Sequence, residues 1–234
     1  MVNICQLKGK RKIYLTSLDD WSYNEIINRR PVICLHMQKT NQKQVNKEIL
    51  LDQGVALLMQ QGYHGTGLNE ILSAVQIPKG SFYNYFGSKE NFTVGIIEHY
   101  ILPYIKQIQT YLKQSEGNAL GALERYLQES IIELEKTNFK GGCLLGNLIG
   151  EVSDTSDVCR IALQTALNRY RDVWELGLSL AQNEGTIRTD KSARELADLW
   201  VNAWEGALLR MKVEQSVAPL KQCYHELLGS FFKA

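Results

Sequence analysis

Between residues 193 and 213 apolar side chains return at every third or fourth position. Leu196, Leu199, Trp200, Ala203, Trp204, Ala207, Leu208 and Met211 fall on one broad helical stripe. Upstream, Leu163, Ala166, Leu167, Tyr170, Val173, Trp174, Gly177, Leu178 and Ala181 repeat the spacing; Asp154 and Ser156 are cap candidates before them, and Gly185 closes the run. The pattern predicts two long helices joined by a short loop. Another helix is expected over 120–134. Ser88 caps a further long one, in which Ile97, Tyr100, Ile101, Tyr104, Ile105, Ile108 and Leu112 share a side and Pro103 predicts a kink. No segment alternates apolar and polar residues between turn signals, so no strands are expected and the fold class is all-α.

Residues 40–100 read as three short helices leading into that long one. Leu50, Gly54, Leu57 and Leu58 form the inner face of the first, which Gly62 ends. Gly54 costs about 1 kcal/mol relative to Ala there, which implies that another helix passes close by. Thr66 is expected to cap a second helix striped by Leu68, Ile71, Leu72 and Val75; Gln76 to Pro78 turn the chain, and a third helix begins near Lys79. Two short helices on a tight turn make a helix-turn-helix.

In the third helix Phe82 and Phe86 lie four apart and point inward. Lys79, Ser81, Asn84 and, more obliquely, Tyr83 and Tyr85 project elsewhere. That face is polar, aromatic and nearly free of acid, which suits a DNA groove: Lys79 for phosphate or guanine, Asn84 for adenine, tyrosine hydroxyls for phosphates. Lys89 stands in the first turn of the next helix, where the dipole opposes its charge, a position that makes sense with a phosphate beside it. Thr66 is a second-rank phosphate ligand. The competing reading of Tyr83 and Tyr85 is surface packing.

Composition narrows the classes. The 234 residues are 44% hydrophobic and 22% charged, enough for a sizeable core. A net charge of +1 means that nucleic-acid binding has to be argued from a local surface. No run is long enough to span a membrane and no secretory leader is visible, so a cytoplasmic protein without a membrane partner is expected. Five scattered cysteines fit free thiols, and His64 and His99 lack a second ligand at metal spacing, so neither metal nor cofactor is expected.

The stretch TGLNEILSAVQIPKGSFYNYFGSKENF resembles the DNA-binding domain of the TetR family of transcriptional regulators. The family's G-S-x-Y-x-x-F-x-S-K-E pattern is matched by Gly80, Ser81, Tyr83, Phe86, Ser88, Lys89 and Glu90, and Gly80 joins the DNA-contact set on that basis. The remainder is similar, more weakly, to the N-ethylmaleimide-responsive, electrophile-sensing repressor subgroup. The resemblance implies a homodimeric repressor that binds a double-stranded, palindromic operator and is released by a small-molecule or thiol-reactive effector. It also implies that the last two long helices form the dimer interface, with Tyr170, Trp174, Leu199, Trp200, Ala203, Trp204 and Leu208 as candidates. Three domains follow: a poorly structured extension over 1–36, a DNA-binding domain over 37–95, and an effector-binding and dimerisation domain over 96–234. Met37, directly before the patterned region, is a candidate native start.

Cys143 in KGGCLLGN follows two glycines at the expected start of a short helix, where free backbone N–H groups favour a thiolate; Lys140 lies three residues away. That makes it the chain's leading candidate for an electrophile or redox sensor, against the alternative of a small buried hydrophobe. The resemblance adds Lys212 as a lysine near the sensing thiol. Two other functions stay open: a helical protein-interaction module, and a thiol enzyme using Cys143, for which no histidine or acid pair is assembled in any motif.

Overall fold

The computed structural model describes residues 4–7, 10–13 and 39–233, and the chain divides into two units, 1–36 and 37–234. In the first unit β1 (Ile4–Leu7) and β2 (Lys10–Ile13) pair antiparallel with Ile4 opposite Ile13 and Leu7 opposite Lys10. This corrects the expectation of no strands. Each strand has four residues, too few for alternation to register, and Lys8-Gly9 between them is the spacing a hairpin favours. The rest of the extension, including Cys34, lies outside the described residues.

The second unit is all-α. Its nine helices, counted among the described residues, are α1 (Lys39–Gly65), α2 (Leu68–Val75), α3 (Lys79–Phe86), α4 (Lys89–Lys113), α5 (Ala119–Lys136), α6 (Leu144–Val152), α7 (Asp157–Asn183), α8 (Ala193–Glu214) and α9 (Ala218–Glu226), followed by a π-helical turn, Leu227–Phe231. Side chains set the starts as expected: Ser88 accepts from Asn91 N at 3.0 Å, and Ser156 accepts from Cys159 N. Ser192 and Glu195 form a capping box before α8. α4 runs unbroken through Pro103 to Lys113.

The long α4 and α7 pack along each other and organise the rest. α1, α3 and α5 also pack on α4, whereas α8 lies on α7 and α9 on α8. Glycines permit close approaches between these helices. A Cβ on Gly54 of α1 would lie 2.5 Å from Ile96 Cδ1 of α4, so α4 is the helix that Gly54 predicts. A Cβ on Gly177 of α7 would meet Leu112 and Leu123 at 3.1 Å. Gly62, at φ 72°, breaks the helical path of α1 and turns the chain toward α2.

Candidate DNA-binding face and thiol site

α2 and α3 are joined by Gln76 in the left-handed region (φ 55°), Ile77 and the N-cap Pro78. Ile71, Leu72 and Phe82 are buried beneath them. Phe82, Phe86 and Phe92 form a ring cluster with centroids 4.8 to 5.4 Å apart, which holds an eight-residue helix that propensity alone would not. With both phenylalanines committed inward, Lys79, Gly80, Tyr83 and Asn84 are exposed on the other side, and Ser81 is half-buried. Nothing lies within 4 Å of where a Gly80 Cβ would stand, so that side of the helix is open.

Tyr85 is half-buried beside α1. Asn46 Nδ2 donates to its hydroxyl at 3.4 Å, and Lys43 Nζ stands 5.9 Å from its ring. Lys47 Nζ stands at the same distance from Phe86. These α1 lysines adjoin α3 and were missed in the sequence; their i, i+4 spacing on one helix face was the available signal.

Two of the expected contact residues have hydrogen-bond partners within the chain. Thr66 is 1% exposed and its Oγ1 donates to Gly62 O at 2.7 Å, while the N-cap of α2 is Gly67. Its hydroxyl fastens the α1–α2 turn. Lys89 Nζ donates to Tyr63 O at 2.6 Å and stands 4.1 Å from the Tyr63 ring centroid. Burial there pushes its pKa down against the pull of nearby Glu151. Lys89 therefore ties the start of α4 to the end of α1.

Cys143 is the N-cap of α6, reached through Asn138, Phe139, Gly141 and Gly142, all at positive φ. The backbone N–H groups of Leu145 and Gly146 favour its thiolate, as expected from the helix start. Burial and the Glu205 carboxylate outweigh them, so the thiol is held well above its ordinary pKa, the reverse of the expected direction. Lys140 is exposed. Lys212 reaches the same loop: its Nζ donates to Asn147 Oδ1 at 2.9 Å, and Asn147 Nδ2 donates to Gly141 O at 3.1 Å. Glu205 was missed; an acid at helical spacing with buried Val201 and Leu208 was its signal.

At the other end of α6, Glu151 Oε2 accepts from the backbone N–H of Tyr63 at 2.8 Å and of His64 at 3.1 Å. His99 pairs with Asp52 at 2.7 Å, and no cluster of three metal-ligating side chains occurs among the described residues.

The expected dimer residues divide. Trp174 and Trp200 are fully buried within the protomer, and Tyr170, Trp204 and Leu208 nearly so. Trp200 stacks on Trp204 at 5.2 Å and meets Trp174 at 4.8 Å. These five belong to the protomer's own core, where α7 packs on α4, α5 and α8, and α8 on α7 and α9. Leu199 is exposed and Ala203 half-buried. They share the outer side of α8 with Leu209 and Val213, and Leu176 and Leu180 are exposed on α7. No helix among the described residues is long and apolar enough to cross a membrane.

Comparison with known proteins accords with this geometry. Residues 50–93 match the bacterial regulatory proteins, tetR family, and residues 119–227 match the tetracyclin repressor-like, C-terminal domain. The chain is 32% identical over 176 residues to the HTH-type transcriptional repressor DhaR of Mycobacterium sp. (strain GP1), covering 75% of this chain and 87% of that protein. It is 30% identical over 175 residues to the repressor NemR of Escherichia coli (strain K12), covering 75% and 88%. The crystal structure of reduced E. coli NemR superposes with a TM-score of 0.74 at 29% identity, over 81% of this chain and 97% of that one. With a helix-turn-helix presenting an open face and a helical second half of the same type, the chain belongs to the TetR family of transcriptional regulators, whose relatives here are repressors and not enzymes.

Proposed function

We propose that the protein is a homodimeric repressor that binds an approximately palindromic operator through α3 and is released when an effector acts at the Cys143 site. The observation that carries the DNA reading is the division of α3: Phe82 is fully buried, while Lys79, Tyr83 and Asn84 on the other side are open. Two such helices related by a two-fold axis read half-sites about one helical turn, roughly 34–36 Å, apart. The exposed Leu176, Leu180, Leu199, Leu209 and Val213 on α7 and α8 supply an apolar surface for self-association.

The effector reading rests on α6. Cys143 caps one end of this nine-residue helix, and Glu151 near the other end grips the backbone of the α1–α2 turn that feeds the helix-turn-helix. The span is on the order of 12 Å at 1.5 Å per residue. A molecule that binds or reacts at Cys143 and favours a different placement of α6 shifts the DNA-binding elements by its differential affinity for the two arrangements. The E. coli NemR structure to which the chain is similar is of that protein's reduced form.

Selection of bound fragments from genomic DNA tests the first half, and release of those fragments by an α,β-unsaturated carbonyl or a quinone tests the second. The expected outcome is a salt-dependent complex with a palindrome that the electrophile dissolves in the native protein but not in Cys143→Ser. Equal release from both proteins removes Cys143 from the mechanism, and failure to retain any specific DNA overturns the repressor reading.

A further inference from the structure

We propose that Glu205 is a positioning residue that restrains Cys143, so that the site admits uncharged electrophiles and is discharged when the carboxylate is neutralised or displaced. The proposal rests on the reading that Cys143 is the reactive thiol. Its basis is how α8 meets the start of α6. Glu205 and Lys212 lie seven residues apart, two turns along the same face of α8. Each packs over a glycine of the GGCLLG segment. A Cβ on Gly142 would come within 3.1 Å of Lys212 Cδ, and a Cβ on Gly146 would lie 2.7 Å from Glu205 Oε2 and 3.9 Å from Cys143 Cβ. Gly146 thus leaves the space that the carboxylate occupies, in the first turn of α6 beside the thiol.

Glu205 is poorly compensated. Its Oε2 is buried without a hydrogen-bond partner, and burial raises the carboxyl's pKa although its contact with the Cys143 thiol pulls it back. The other titratable groups facing the pair are Lys212 on α8, Tyr126 on α5 and Tyr170 on α7, the two phenols engaging each other behind Cys143. The cluster continues into Trp174 and Trp200, whose fully buried Nε1 donors lack a hydrogen-bond partner; the Tyr170 hydroxyl lies near Trp174 without reaching hydrogen-bond geometry. One carboxylate acceptor and two indole donors in this buried cluster are thus without hydrogen-bond partners.

The reaction that fits is conjugate addition. Cys143 Sγ forms a C–S bond to the β-carbon of an α,β-unsaturated carbonyl compound, and the π pair of its C=C bond moves to the α-carbon. That carbon then takes up a proton in place of the one the thiol loses, so no oxidant or leaving group is needed. While ionised, Glu205 opposes a second negative charge at the sulfur and repels anionic reagents; the adduct is neutral.

The test follows labelling of Cys143 by N-ethylmaleimide in the full chain, by peptide mass spectrometry, from about pH 6 to about pH 10. Glu205→Gln is expected to move the midpoint of the rate profile to lower pH and to raise the rate near pH 8 about tenfold or more, since lowering a thiol pKa by one multiplies the thiolate fraction by ten. The two profiles should draw together only at a pH low enough to protonate Glu205, a signature that a purely structural role does not produce. Gly146→Ala, which keeps Glu205 but crowds its carboxylate, is expected to act in the same direction. Wild-type profiles in both variants, or slower labelling of Glu205→Gln, overturn the proposal. DNA binding read on the same samples separates the two ideas: labelling without release removes Cys143 as the switch, while the effect of Glu205 is read from labelling alone.

Discussion

The Glu151 carboxylate, in the last turn of α6, accepts the backbone N–H of Tyr63 at 2.8 Å, joining α6 to the turn between α1 and α2. The same oxygen accepts from His64 N, and Gly62, whose absent Cβ would stand 2.4 Å from Glu151 Oε1, makes the approach possible. Glu151→Ala leaves two N–H groups without their acceptor, at a cost of about 1–3 kcal/mol. The expected result is faster amide exchange at Tyr63 and His64 and a lower melting temperature. An electrophile should also lose part of its effect on DNA affinity, as read by fluorescence anisotropy.

Lys79 opens α3 and Lys89 opens α4, and they differ in surroundings, which predicts different failures. Lys79 is exposed, so Lys79→Ala should weaken DNA binding across sequences and flatten the salt dependence by about one phosphate contact. Asn84→Ala should instead relax preference at one base position by about 1–3 kcal/mol. Lys89→Met removes the hydrogen bond to Tyr63 O and the ring contact, and is expected to lower thermal stability while leaving the salt slope unchanged. Titration of operator binding against salt, alongside melting curves, distinguishes the three.

Apolar residues on α8 divide between core and surface. Trp200 is fully buried, so Trp200→Ala should cost about 3–5 kcal/mol of folding stability at any protein concentration. Val213 is 85% exposed and Leu209 49%, so the pair Leu209→Glu with Val213→Glu should leave the protomer folded and shift sedimentation toward monomer. Unchanged sedimentation of the double variant would move the dimer seam elsewhere.

The same contrast indicates how far periodicity reaches. Leu199 and Trp200 are neighbours on one broad stripe and differ by about 100° around the helix. Spacing identified the stripe, but which edge meets the protomer's own α7 and which meets solvent depends on the α7–α8 packing angle, and the tryptophans were assigned to the wrong side. Gly54 was legible as a helix contact because its cost in a helix needs a tertiary reason, and Ile96 supplies it. The α3 face was legible because Phe82 and Phe86 fix the inward direction of a short helix. Cys143 was only half legible. Its helix start is local, whereas the carboxylate that reverses its pKa comes from Glu205, far along the chain on another helix. For Thr66 and Lys89 the residue types were legible, but their partners Gly62 O and Tyr63 O, brought close by the break in α1, were not.

The buried phenols predict a specific alkaline weakness. Tyr126 is 3% exposed and its pKa is pushed from 10.0 up to about 12, chiefly by burial, with the Tyr170 and Ser130 contacts opposing. Below about pH 10 the phenol is neutral in both folded and unfolded chains, and the pH contributes nothing to their balance. Between about pH 10 and about pH 12 the unfolded chain releases the proton and the folded one retains it, so stability falls with rising pH. Two pKa steps correspond to about 3 kcal/mol, an upper figure for this one group. Tyr170 is pushed up in the same sense and Cys223 to about 11, so the loss should be steeper than one phenol produces. Urea unfolding at about pH 9 and about pH 11 measures it. Tyr126→Phe should lose less stability between the two, and an equal loss in both proteins would show that Tyr126 is not a source of the alkaline weakness.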